Sequence, residues 1–101
     1  MNTYTPLVSV LIPSYNHQSF VIKSIQGVLN QSYRNIELIV IDDGSTDSSP
    51  QLINEFNTSL QSKFKFISQS NIGLPKTINY FLTLVTGKYF CLCASDDFWL
   101  E

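Results

Sequence analysis

The chain alternates short apolar runs with polar turns, and the period of its apolar positions changes from segment to segment. Leu7-Val8-Ser9-Val10-Leu11-Ile12, a β-branched and leucine run ended by Pro13, predicts a buried strand. Between Phe20 and Gln31, the residues Val21, Ile25, Val28 and Leu29 fall at helical spacing. Ile36–Ile41 predicts a second strand, interrupted by Glu37, and Asp42-Asp43-Gly44-Ser45 a tight polar turn after it. A second helix follows, with Ser49 as its N-cap, Pro50 at the first helical position and Leu52, Ile53 and Phe56 as its apolar stripe. Phe64–Ile67 predicts a third, shorter strand. A third helix runs from Leu74 to Thr86, with Leu74, Ile78, Phe81, Leu82 and Val85 inward and Gly87 as its C-cap, and Tyr89–Cys93 predicts a fourth strand.

The order β-α-β-α-β-α-β with short connections implies one α/β domain over residues 1–101. Its sheet is open and mainly parallel, in the order 3-2-1-4, with helices on both faces. Growth of the sheet reverses direction between strands one and four. Open α/β sheets bind ligands at such a switch point, beyond the carboxyl ends of the strands. Pro13-Ser14-Tyr15-Asn16, Asp42-Asp43-Gly44-Ser45 and Ser95-Asp96-Asp97 are all delivered to that edge.

Composition narrows the partners. With 101 residues, 44% hydrophobic and 14% charged, the chain reads as one globular domain. A net charge of -2 leaves no basic patch and excludes nucleic acid held by electrostatics. Five of the eight acids (Asp42, Asp43, Asp47, Asp96 and Asp97) fall in two short stretches, so the acidity is local. Cys91 and Cys93, the only cysteines, stand two apart on one strand face, a poor geometry for a mutual disulfide, and lack the second ligand pair of a zinc site. They read as buried thiols of a reducing compartment. No signal peptide is recognisable, and no run approaches the roughly 18 apolar residues of a membrane span. The expectation is a soluble, cytoplasmic protein, at the cytoplasmic face of the membrane in a longer form.

Paired carboxylates at strand ends suit a polyanion held through a cation. Asp96-Asp97 offers hard oxygen ligands for Mg or Mn shared with substrate phosphates, and a solvated acidic loop is the plainer alternative. Asp42 and Asp43 suit hydrogen bonds from a nucleobase or ribose, while Ser45 and Asp47 suit a turn and helix cap. Tyr15 has the flat face on which a base stacks. His17 reads as a loop or capping residue. Asn71-Ile72-Gly73 precedes a helix N-terminus, whose free N–H groups favour anions, and Lys76 in the first turn serves a nucleotide or solvent alike.

Four ordered stretches resemble the family 2 glycosyltransferases: Val8–Asn16, Ile39–Asp47, Asn71–Leu74, and Gly87-Lys88-Tyr89 leading to Ser95-Asp96-Asp97. Gln31-Ser32-Tyr33 is similar to the segment that follows the first helix in that family. The resemblance covers nearly the whole chain. It implies a GT-A nucleotide-diphospho-sugar transferase fold and inverting sugar transfer to a sugar or glycolipid acceptor in polysaccharide or glycoconjugate synthesis. By position it implies base contacts from Tyr15 and from Asp42 or Asp43, a ribose contact from Asp96 and a metal contact from Asp97; Pro13 and Asn16, delivered to the same edge, are expected to join Asp42 and Asp43 in binding the donor. Ala94 stands where the family often has a further Asp, and Ile78 where it often has Arg. The family's general base and acceptor site follow the metal motif, so the chain reads as the N-terminal donor-binding half of a longer enzyme. A non-catalytic α/β association module, dimerising through an exposed strand edge, is the rival. A signalling receiver is disfavoured because no acid follows strand three, and a dinucleotide-binding domain because the first turn lacks its glycines.

Overall fold

The apolar runs form strands, and the two central ones are largely buried on both faces. The computed structural model describes residues 6–93 apart from 32, 34 and 88. In chain order the elements are β1 (Val8–Ser14), α1 (Val21–Leu29), β2 (Ile36–Asp43), α2 (Ser49–Ser59), β3 (Lys65–Gln69), α3 (Leu74–Leu84) and β4 (Tyr89–Leu92). The strands pair in parallel in the expected order β3-β2-β1-β4. β1 and β2 run side by side from Val8↔Ile36 to Ser14↔Asp42, while β4 meets β1 only from Val8↔Tyr89 to Leu11↔Leu92.

Because successive strand residues point to opposite faces, each central strand feeds two cores. Val10, Ile12, Leu38 and Val40 pack with Val21, Ile25 and Val28 of α1 and Ile53 of α2. Leu11, Ile39 and Ile41 pack on the other face with Phe81 of α3. Helices therefore cover both faces. Burial of each such aliphatic side chain stabilises the fold by roughly 1.5–3 kcal/mol.

Several boundaries differ from expectation. Pro13 does not end β1: it pairs with Ile41 inside the strand. The Cys93 N–H donates to the Leu11 C=O, so alternate residues Leu11 and Pro13 face the β4 side. The proline thus lacks its donor beyond the last β1–β4 register pair, where it breaks no ladder bond between them. Ser49 is the first residue of α2 rather than its cap. Ser48 is the N-cap, and the Ser49 N–H donates to Asp47 Oδ1 at 2.9 Å. On α3 the buried positions are Thr77 and Phe81, whereas Leu74 and Leu82 are exposed. Cys91 packs against the cluster that contains buried Cys93, so the two cysteines share a face as expected, and burial pushes the Cys91 thiol up.

The expected C-cap Gly87 has another role, since α3 is capped at Val85. The Gly87 N–H donates to Ser9 Oγ at 3.0 Å, and a Cβ there would meet that oxygen at 2.4 Å. Ser9 in turn donates to Glu37 Oε1 at 2.7 Å, which also accepts the Thr86 N–H at 3.1 Å and the Thr86 hydroxyl at 3.2 Å. The polar interruption of β2 thus staples the α3–β4 connection beneath the central strands.

Burial pushes the Glu37 carboxyl up, but the Ser9 and Thr86 hydrogen bonds, with the charge of Lys65, outweigh it and hold the group below its ordinary value. A depressed folded-state value stabilises the fold fully above the unfolded-chain value of about 4.3, and that contribution is lost as pH falls through the folded value. Urea unfolding of wild type should therefore weaken more between pH 6 and pH 3 than that of Glu37→Gln. Parallel pH profiles for the two proteins would contradict the staple.

Candidate functional site

Adjacent acids on one strand must diverge, and Asp42 and Asp43 do so at the end of β2. Asp42 follows Leu38 and Val40 to the α1–α2 side, where it is fully buried. Its Oδ1 accepts the Ser14 hydroxyl at 3.0 Å and the Ser45 hydroxyl, and its Oδ2 the Ser45 N–H at 2.9 Å. An ionised carboxylate in such a place needs these donors, and in return it closes the turn after β2 onto the end of β1.

Asp43 follows Ile39 and Ile41 to the α3 side. Its Oδ1 accepts the Ile72 N–H at 2.8 Å and Gln69 Nε2 at 3.1 Å, and its Oδ2 accepts the Gly73 N–H at 2.9 Å. Asn71 Nδ2 donates to the Asp43 C=O at 3.1 Å. Gly73 is the N-cap of α3 and has no side chain to offer, so Asp43 brings negative charge to the positive helix end from a neighbouring strand. Gly44 allows this approach: its φ is +74°, and a Cβ there would lie 2.6 Å from the Asn71 nitrogen.

The loops after β1 and β2 are laced together. Asn16, at φ +53°, donates its N–H to Ser45 Oγ at 2.9 Å. Its Oδ1 accepts the N–H groups of Thr46 at 2.8 Å and Asp47 at 3.3 Å. Asp47 Oδ2 accepts the Gln18 N–H at 3.1 Å, and Gln18 Oε1 accepts the Ser48 N–H at 2.7 Å. Burial pushes the Asp47 carboxyl up, but hydrogen bonds from Ser49 and Gln18 outweigh it and hold the group below its ordinary value.

Between these loops lies an open cavity of about 340 Å³, lined by Pro13, Ser14, Tyr15, His17, Asp43, Asn71, Gly73, Leu74 and Thr77. Its walls are mainly apolar. Tyr15 and Leu74, each about half exposed, offer flat and aliphatic surfaces to a ligand. The structure thus brings Pro13, Tyr15 and Asp43 to one space, while Asn16 and Asp42 lie outside its lining and hold the loops around it. Lys76 is exposed and absent from the lining. Ile78, where the resembled family often has Arg, packs instead against the Leu11–Phe81 core.

Two lining residues carry more than their sequence positions suggested. His17 does serve the start of α1, its C=O accepting the Phe20 and Val21 N–H groups at 2.9 and 2.8 Å, and it also borders the cavity. Thr77 had no assignment. Its place four residues before Phe81, on the same helical face, was the available signal.

Asp96 and Asp97 lie outside the described residues. Among the described residues, no group of three or more His, Cys, Asp or Glu side chains is placed to hold a metal ion. β4 runs parallel to β1 towards the carboxyl edge of the sheet. The 2.9 Å bond from the Cys93 N–H to Leu11 sets its end beside β1, and Asp97 follows four residues later. Carboxylates are the donor type that a hard divalent cation takes. No helix among the described residues is long and apolar enough to cross a membrane.

Known proteins resemble this chain in sequence and in fold. The profile of glycosyl transferase family 2 matches residues 9–101. An uncharacterized glycosyltransferase of Haemophilus influenzae is 39% identical over 95% of this chain, which covers 31% of that relative. The putative glycosyltransferase EpsH of Bacillus subtilis is 35% identical over 96% of the chain, covering 28% of the relative. The chain therefore spans about a third or less of the length of these relatives. Among solved structures, the mannosyltransferase PcManGT of Pyrobaculum calidifontis, in complex with GDP-Man and Mn2+, superposes with a TM-score of 0.89 over 98% of this chain and 30% of its own, at 23% identity. That likeness shows the GT-A fold. S. aureus TarS 1-349 in complex with UDP gives a TM-score of 0.78 at 26% identity, over 91% of this chain and 28% of its own. On the family match along nearly its whole length, the chain belongs to glycosyl transferase family 2.

Proposed function

We propose that this chain is the donor-binding part, as a single domain over residues 1–101, of a longer inverting glycosyltransferase. It holds a nucleotide-diphospho-sugar with a divalent cation for transfer to a sugar or glycolipid acceptor. The observation that carries the reading is the shared cavity of Tyr15 and Asp43 at the carboxyl edge of the sheet. Support comes from TarS, whose solved complexes contain UDP and UDP-GlcNAc, and from a chondroitin synthase of Escherichia coli, 36% identical over 92% of this chain. The latter supports a role in polysaccharide synthesis.

The site's own residues divide the task. Tyr15 and Leu74 bracket the nucleobase, and Pro13 forms the wall where β1 ends. The open acceptor capacity of Asp43 takes a donor from the nucleoside. Asn16 and Asp42 serve the donor by fixing the two loops, and the N-terminal end of α3 adds a positive dipole end. Asp96 is assigned to the ribose and Asp97 to Mn or Mg. A cation bound there neutralises charge on the diphosphate leaving group. Direct displacement also needs a base at the acceptor hydroxyl, which we assign to further residues of the longer protein. Cysteines that do not pair in a disulfide favour a reducing compartment such as the cytoplasm, with the longer protein working at the membrane face.

Calorimetry with UDP-, GDP- and dTDP-sugars should show binding of at least one donor that requires Mn and is lost in Asp97→Ala. Binding indifferent to both chelation and that substitution would refute the metal assignment. Tyr15→Ala should weaken the same binding by about 1–3 kcal/mol, the worth of one base–aromatic stack, without lowering the melting temperature. Unchanged affinity would remove Tyr15 from the base site.

A further inference from the structure

Gln69 ends β3 outside the cavity lining, yet its amide closes a ring of hydrogen bonds around Asp43. Gln69 Nε2 donates to Asp43 Oδ1 at 3.1 Å and to Thr77 Oγ1 at 3.0 Å. Thr77 Oγ1 donates to the Gly73 C=O at 2.9 Å, and the Gly73 N–H returns to Asp43 Oδ2 at 2.9 Å. Thr77 is fully buried, so its hydroxyl must find its partners inside the protein.

The polarity of this ring is determined throughout. A carbonyl oxygen only accepts, so the Thr77 hydroxyl proton is committed to Gly73 and its lone pair is left for Gln69. Both Gln69 contacts are then acceptors, which sets the amide nitrogen towards them and spends both its N–H groups. Every neighbour of the Asp43 carboxylate is a donor. Oδ1 accepts two hydrogen bonds and Oδ2 accepts one among the described residues, so the unspent acceptor position lies on Oδ2.

We propose that Gln69 and Thr77 are positioning residues for nucleoside recognition, locking the Asp43 carboxylate so that its open Oδ2 position faces the cavity. The inference rests on the donor-binding reading above and adds the selectivity that the lock confers. The ligand group at that position must donate a hydrogen bond, as the ring N–H of uracil or guanine does. An acceptor placed there meets a buried anion. Without Gln69, one of the two bonds on Oδ1 is lost, and the carboxylate is held only by the Ile72 and Gly73 N–H groups. The diphosphate is held elsewhere and does not sense the change.

The test measures affinities for UDP, GDP and inorganic pyrophosphate, each with Mn, in wild type, Gln69→Leu, Thr77→Val, Asp43→Asn and Gln69→Leu/Asp43→Asn, with melting curves to confirm folding. Gln69→Leu and Thr77→Val should each weaken the preferred nucleotide by about tenfold while pyrophosphate affinity stays within twofold. In the Asp43→Asn background the Gln69 substitution should cost less than about twofold, because its effect passes through that carboxylate. Equal losses for nucleotide and pyrophosphate, the same Gln69 cost in both backgrounds, or no loss in a folded Gln69→Leu protein would each overturn the positioning role. Wild type that binds neither UDP nor GDP would overturn the donor-binding reading itself, and the inference with it. Pyrophosphate provides the decisive comparison if Asp43→Asn does not fold.

Discussion

An anionic side chain at the end of a buried strand has to be met by donors, and the Asp43 carboxylate is met by two backbone N–H groups and an amide. These bonds tie the end of β2 to the end of β3 and to the start of α3. Without them the Asn71–Gly73 segment would have no fixed place, and the cavity would lose one of its walls. The same constraint explains Gly44, since the segment passes so close that no side chain fits there.

The neighbouring Asp42 performs the complementary task on the opposite face. Its bonds to Ser14 and Ser45 join the two central strands at their exits, and Asn16 and Asp47 extend that joint across the loops. One acid pair therefore supplies both a structural clamp and a cavity wall. Strand geometry alone decides which carboxylate does which, because consecutive side chains leave on opposite sides. At the other end of the sheet, the Glu37 staple gives the α3–β4 connection a comparable anchor.

The architecture was legible because it is written in local patterns. Continuous apolar runs separated by helical stripes demand a parallel sheet, and the short links leave few orders for the strands. That Tyr15 and Asp43 would lie near each other was legible because both sit directly after or at the end of such runs, and they line one cavity. Elements that depend on distant partners were less readable. Pro13 and the acid pair stay within strands because a neighbouring strand continues beside them. Thr77 interrupts the apolar stripe of α3, yet it is buried, since Gly73 one turn before it and Gln69 of β3 satisfy its hydroxyl. Leu74 and Leu82, apolar and helical, were expected inward but are exposed, and Leu74 instead borders the cavity.

The central claim is that the carboxyl edge of this sheet forms one nucleoside pocket with Tyr15 and Asp43 as its two principal contacts. A crystal structure of the protein with UDP or GDP and Mn tests it most directly. The account predicts the base lying against the Tyr15 ring with its donor edge within hydrogen-bonding distance of Asp43 Oδ2. A nucleotide bound on another surface, with the Tyr15–Asp43 cavity open to solvent, would contradict it.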